Sequence, residues 1–139
     1  MNVTEQQREL KVQKGIRMAE DNLVIWIQSA LDNRQSYGNL QEAQFRNLVR
    51  VADTTSSPEV IKNFLRYQVG RDSKWGRGVN SLATRLITDI DGELKSTAVR
   101  IHQGNEGSDL RDIWLELIRR YLGYGARHLK FLNSPGGRG

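Results

Sequence analysis

No stretch of this 139-residue chain alternates apolar and polar residues at the two-residue period of a strand with one wet face, and only two prolines, Pro58 and Pro135, interrupt it. Apolar residues instead recur every three or four positions, the spacing that lines one face of an α-helix. The fold class expected is therefore all-α, a compact bundle of about five helices. The length suits one domain with a modest core.

The first helix is expected to run from about Thr4 to Asp32, with Ile16, Ala19, Leu23, Trp26, Ile27, Ala30 and Leu31 inward. Its first dozen residues are polar enough that residues 1–15 are expected to fray, leaving 16–132 as the helical domain and 133–139 as a disordered tail. A short buried strand over Leu23 to Ile27 is the competing reading, and the pattern's extension on both sides favours helix. Tyr37, Gly38 and Asn39 make a turn before a second helix over Leu40 to Asp53, with Phe45, Leu48, Val49 and Ala52 inward.

Ser57, Pro58 and Glu59 form the best-marked helix start, a capping residue followed by proline at the first helical position and an early acid. The third helix is expected to bury Val60, Ile61, Phe64, Leu65 and Gln68 or Val69, and to end near Gly70. A fourth, from Val79 to His102, carries Gly92 as a place to bend, since glycine weakens a helix interior by about 1 kcal/mol against alanine. Asp109 caps the last, which continues to Leu132 with Ile113, Trp114, Leu117, Tyr121, Tyr124 or Gly125, His128 and Leu132 inward.

The absence of cysteine excludes disulfides, thiolate metal sites and a cysteine nucleophile, and makes the cytoplasm the default compartment. The longest apolar run, Leu23 to Ile27, falls far short of the roughly 20 residues that span a membrane, so no membrane association is expected. Catalytic chemistry is thinly supplied. Asp112 and Glu116 share a helix face, as solvated carboxylates often do, and Asp89, Asp91 and Glu93 point in different directions from one helix, like ordinary surface charge. His102 and His128 lack ligand spacing, and Gly76 and Gly78 do not make a phosphate loop. The chain reads as a non-enzyme with no metal and no cofactor.

Its formal net charge of +5 points to an acidic partner. The cations carrying that reading are Arg46, Arg50, Lys62, Arg66, Arg71, Lys74, Arg77, Arg119, Arg120, Arg127 and Lys130, on polar helix faces and in the loop Arg71 to Gly78. Guanidinium and ammonium groups neutralise phosphates without reading bases, so recognition of RNA would be independent of sequence. Trp75, among Arg71, Lys74 and Arg77, either stacks on a base, contacts another subunit or plugs the core. Tyr67, Tyr121 and Tyr124 read as core or helix-contact residues.

Residues 39–132 resemble the small subunit of type III CRISPR-Cas effector complexes, particularly the Csm-type subunit. Leu40 to Val51, reading Leu-Gln-Glu-Ala-Gln-Phe-Arg-Asn-Leu-Val-Arg-Val, is similar to that family's second helix. Phe64-Leu65-Arg66-Tyr67-Gln68-Val69-Gly70-Arg71 resembles its Tyr-x-x-x-Arg helix end, and Trp114 to Leu132 its closing aromatic and basic helix. The resemblance implies a non-catalytic bundle, present in several copies, that lines the path of guide RNA and target RNA in antiviral defence. Its neighbours would be the large signalling subunit, the repeated backbone subunit and copies of itself. Arg46, Arg50, Arg66 and Arg71 would face RNA or a subunit, while Gln44 and Tyr67 would hold helices together. The polar N-terminus and the loop around Trp75 depart from the pattern.

Two other functions compete. A stand-alone helix-turn-helix DNA regulator is disfavoured by the long loop Arg71 to Gly78 and the long fourth helix. A protein-interaction adaptor would use its cations for solubility alone.

Overall fold

The computed structural model describes residues 3–138. Its elements are α1 (Val3–Asp32), α2 (Glu42–Thr54), α3 (Pro58–Arg71), α4 (Leu82–Asp89), α5 (Lys95–Gln103) and α6 (Leu110–Leu132), with α4 and α5 joined through a π-turn at Ile90–Leu94. The backbone stays helical through that junction, so five rods build a compact all-α bundle. Among the described residues there is no strand.

Helix α6 is the centre of the bundle and packs against α1, α2 and α5. The single inward stripe expected for it is too narrow, because Leu115, Ile118, Leu122, Ala126 and Leu129 are buried as well. A helix enclosed on several sides needs apolar residues around most of its circumference. Gly125 permits the closest approach: a Cβ there would stand 2.8 Å from Ile27 Cγ1 and from Phe45 Cζ, where α1 and α2 meet α6.

Helix α1 extends back into the segment expected to fray. It is helical from Val3, and Val12 is buried. Val12 opens a series completed by Ile16, Ala19, Leu23, Ile27 and Ala30, all buried at helical spacing, and Gly15 rests against Ile101 of α5. Leu23 to Ile27 is helix, not strand. Met1 and Asn2, part of the expected frayed segment, lie outside the described residues. At the other end, residues expected as a disordered tail fold back: Asn133 Nδ2 donates to Leu40 O at 3.1 Å, and Pro135–Arg138 form a 3-10 turn. Gly139 lies outside the described residues.

Three boundaries follow local chemistry. Gln41 and Gln44 cap α2 reciprocally, with Gln41 N donating to Gln44 Oε1 at 2.9 Å. Asp109 accepts from Asp112 N at 3.2 Å and starts α6. Ser57 occupies the cap position of α3 without a side-chain cap bond, leaving the fixed φ of Pro58 to set that start. The fourth rod begins at Leu82, not Val79, whose side chain is 83% exposed. Ser81 is the cap, accepting from Thr84 N at 3.1 Å. The bend expected at Gly92 takes the form of the π-turn, and Trp114 Nε1 donates to Ile90 O at 2.8 Å within it.

Candidate nucleic-acid interface

The sequence-predicted cations divide into those the fold consumes and those it displays. Lys62 is buried, its Nζ 2.8 Å from Glu59 and 2.9 Å from Asp91. Burial alone would lower its pKa, but the hydrogen bonds to Glu59 and Asp91 prevail and raise it. Arg119 donates from Nε to Ala52 O at 2.9 Å and from Nη2 to Thr55 O at 3.0 Å, closing the C-terminal end of α2. Arg120 binds Glu116 at 2.8 Å and also pairs with Glu20 across to α1. The hydrogen bond it donates to Glu116 leads the causes that raise its pKa. These three side chains tie helices together, a role their place on a polar helical stripe did not reveal.

Trp75 is a core residue and cannot serve as a stacking platform or subunit contact. It is 2% exposed and stacks on Phe45, with ring centroids 5.6 Å apart. The loop that carries it is pinned by Gly38 N donating to Lys74 O at 3.0 Å and Ala83 N donating to Trp75 O at 3.2 Å. Gly76, at φ +84°, faces the Ser36 carbonyl so closely that no side chain fits. Gly76 thus admits the chain's own backbone, whereas Gly78, at φ +78°, has open space beside it.

Val60 and Tyr67 correct the reading of α3. Both were expected inward and both are exposed. Tyr67 stands one turn before Arg71 on the outside of the helix and holds no helices together. Arg66 and Arg71, expected to act as one cluster, are five residues apart and so lie about 140° from each other around α3.

The displayed cations converge on α2. On one side, Arg46 Nε lies 2.8 Å from Glu42 Oε1 and Lys130 Nζ of α6 approaches Glu42 Oε2 at 3.9 Å. The Arg46 hydrogen bond holds the Glu42 carboxyl below its ordinary pKa. On the other side, Gln44 and Asn47 share a small crevice of about 130 Å³ with Gln68, Arg71, Asp72 and Lys74. Arg50 bridges the two, its Nη1 donating to Asn47 Oδ1 at 2.9 Å. Arg127, exposed on α6, lies over the Tyr124 ring at 5.8 Å. The result is a band running from Arg127 and Lys130 through Arg46 and Arg50 to Arg71 and Lys74. Arg77 is exposed in the adjoining loop.

Glu42 and Asp72 lie among these cations, and other acidic groups gather away from the band. A cleft of about 430 Å³ lies between the first half of α1 and the first turns of α6 and includes Glu9, Asp109, Asp112 and Glu116. Asp89 is not surface charge: it is buried, with Arg85 Nε at 3.1 Å and Tyr121 Oη at 2.6 Å. His102 Nδ1 meets Ser108 Oγ at 2.9 Å, and His128 Nε2 meets Asp32 Oδ1 at 2.7 Å. Among the described residues no group of three or more His, Cys, Asp or Glu is placed to hold a metal ion, and no helix is long and apolar enough to cross a membrane. No protein-family model, curated protein or solved structure matches the chain.

Proposed function

We propose that this protein is a non-catalytic, RNA-binding subunit of a larger ribonucleoprotein, and that the band across α2, α3 and α6 holds the RNA backbone. The observation that carries this reading is the convergence of Arg46, Arg50, Arg71, Lys74, Arg127 and Lys130 around α2, six cations with two carboxylates, Glu42 and Asp72, among their contacts. Cations that the fold does not consume, set along one band, suit a chain of phosphates better than a single anion. Neutralising phosphates this way gives affinity without base identity. The resemblance of residues 39–132 to the small subunit of type III CRISPR-Cas complexes supplies the assembly: guide RNA and target RNA, a large signalling subunit, a repeated backbone subunit and further copies of this chain.

Membership in an assembly gains support from α1. Leu10, Met18 and Ile25 are exposed and fall within about 80° of one another around the helix. Such apolar grouping on an outer face suits a subunit contact. A helix-turn-helix regulator is less well supported, because residues 72–81 separate α3 from α4 where that motif uses about three or four. Recovering the full chain under native conditions from its own cells and sequencing the bound RNA tests the proposal. Repeat-derived guide RNA together with partner subunits is the expected result. Recovery of the chain free of RNA and partners overturns it.

A further inference from the structure

One groove combines exposed aromatic surface with positive charge. Val24 and Gln28 of α1 form one wall, and Tyr124, Arg127, His128 and Phe131 of α6 the other, around about 360 Å³. Phe131 is 53% exposed, an aromatic face turned outward from the helix at the centre of the bundle. Its ring lies 6.0 Å from that of His128, centroid to centroid and tilted by 31°. His128 is itself held by Asp32 on α1, so the floor of the groove is braced. None of the six lining residues is a carboxylate. Lys130 precedes Phe131 and reaches toward Glu42, the residue Arg46 also binds. The groove therefore opens beside the α6 end of the cationic band.

We infer that this groove receives one unstacked nucleobase of a bound single-stranded RNA, with Phe131 as the stacking face and Gln28 able to hydrogen-bond a base edge. The inference rests on the RNA-binding reading above and deepens it by naming a base subsite. Charge decides the occupant. An unstacked base travels with phosphates on both sides, and Arg127 of the groove wall can neutralise one of them with Lys130 close by; an apolar peptide or acyl chain would leave Arg127 without a counter-charge. Because every base offers a π-face, stacking here adds affinity without adding sequence preference.

The test compares two labelled single-stranded RNAs of equal length, an oligouridylate and the same strand with abasic ribose at every position, by fluorescence anisotropy on the full chain. The wild type should bind the base-bearing strand about tenfold more tightly, within the range that stacking on one aromatic side chain supplies. Phe131→Ala should erase most of that preference, leave affinity for the abasic strand and the melting temperature unchanged, and Phe131→Tyr should restore the preference. If Phe131→Ala keeps the preference, or weakens both strands equally, the base subsite is overturned while RNA binding stands. If the wild type binds neither strand at low salt, the RNA-binding reading falls and the subsite with it.

Discussion

Tyr121 donates a 2.6 Å hydrogen bond from Oη to Asp89 Oδ2 inside the core, joining the central helix to the end of α4. Arg85 holds both oxygens of that carboxylate at 3.1 Å and extends to Trp26 O at 3.4 Å. A buried carboxylate that loses a donor is left with an unsatisfied oxygen. Tyr121→Phe should therefore cost about 1.5–3 kcal/mol, the range for a hydrogen bond to a charged group, as read from urea unfolding.

The same hydroxyl predicts an alkaline limit to stability. Burial first, and the Asp89 charge second, raise the Tyr121 pKa well above its ordinary value. The folded value lies above the unfolded one, near 10, so the neutral phenol's contribution is full below about pH 10 and is lost as pH rises from there toward the folded value. Absorbance titration should show one tyrosine ionising only together with loss of helicity. Tyr121→Phe should make unfolding stability less dependent on pH above about 10.

Three glycines should separate by mechanism. Gly76→Ala meets the Ser36 carbonyl and Ser81 Cβ at φ +84° and should prevent the Trp75 loop from closing. Gly125→Ala adds a methyl group at the α1–α2–α6 junction and should cost about 1–3 kcal/mol by overpacking. Gly78→Ala, at φ +78° with open space around it, should cost only the left-handed backbone penalty of about 1–2 kcal/mol. Melting temperatures that rank the three otherwise would contradict the packing described.

Consumed and displayed side chains should respond differently to truncation. Trp75→Ala should cost about 3–5 kcal/mol, and Arg119→Ala about 1.5–3 kcal/mol through the Ala52 and Thr55 carbonyls it leaves. Neither should alter the RNA affinity of folded protein. Arg71→Ala with Lys74→Ala should do the reverse, weakening RNA binding with little change in melting temperature. Equal losses of stability in both classes would show that the band is structural.

Much of the fold was legible because helical periodicity and caps are local. The Asp109 cap, the α3 start at Pro58 and the buried face of α2 needed only short stretches of chain. What remained hidden depends on contacts far apart in sequence. Lys62 looks like a surface cation until Asp91 is brought to it, and Arg119 until the end of α2 arrives beneath it. Trp75 sits in a loop of cations and glycines that reads as open surface, yet its ring closes on Phe45. Phe131 and Tyr67 are exposed aromatics on helices, and residue type alone does not separate such rings from core.

Catalysis is absent from this account, and that too can be tested. Asp91 is engaged by Lys62, and Asp89 by Tyr121 and Arg85, so these carboxylates do not converge on a common point. Incubation of the purified chain with RNA or DNA and magnesium or manganese should yield no cleavage. Cleavage that disappears with Asp91→Asn would establish an active site there.

The salt dependence of single-stranded RNA binding tests the central claim most directly, with the wild type compared to a variant carrying Arg46→Ala, Arg50→Ala, Arg71→Ala and Lys74→Ala. Each phosphate neutralised on a single strand contributes about −0.7 to the slope of log K against log salt. The slope for the variant should be shallower by about 3 at unchanged helicity. A slope identical in the two proteins would place the RNA elsewhere on the surface and contradict the account.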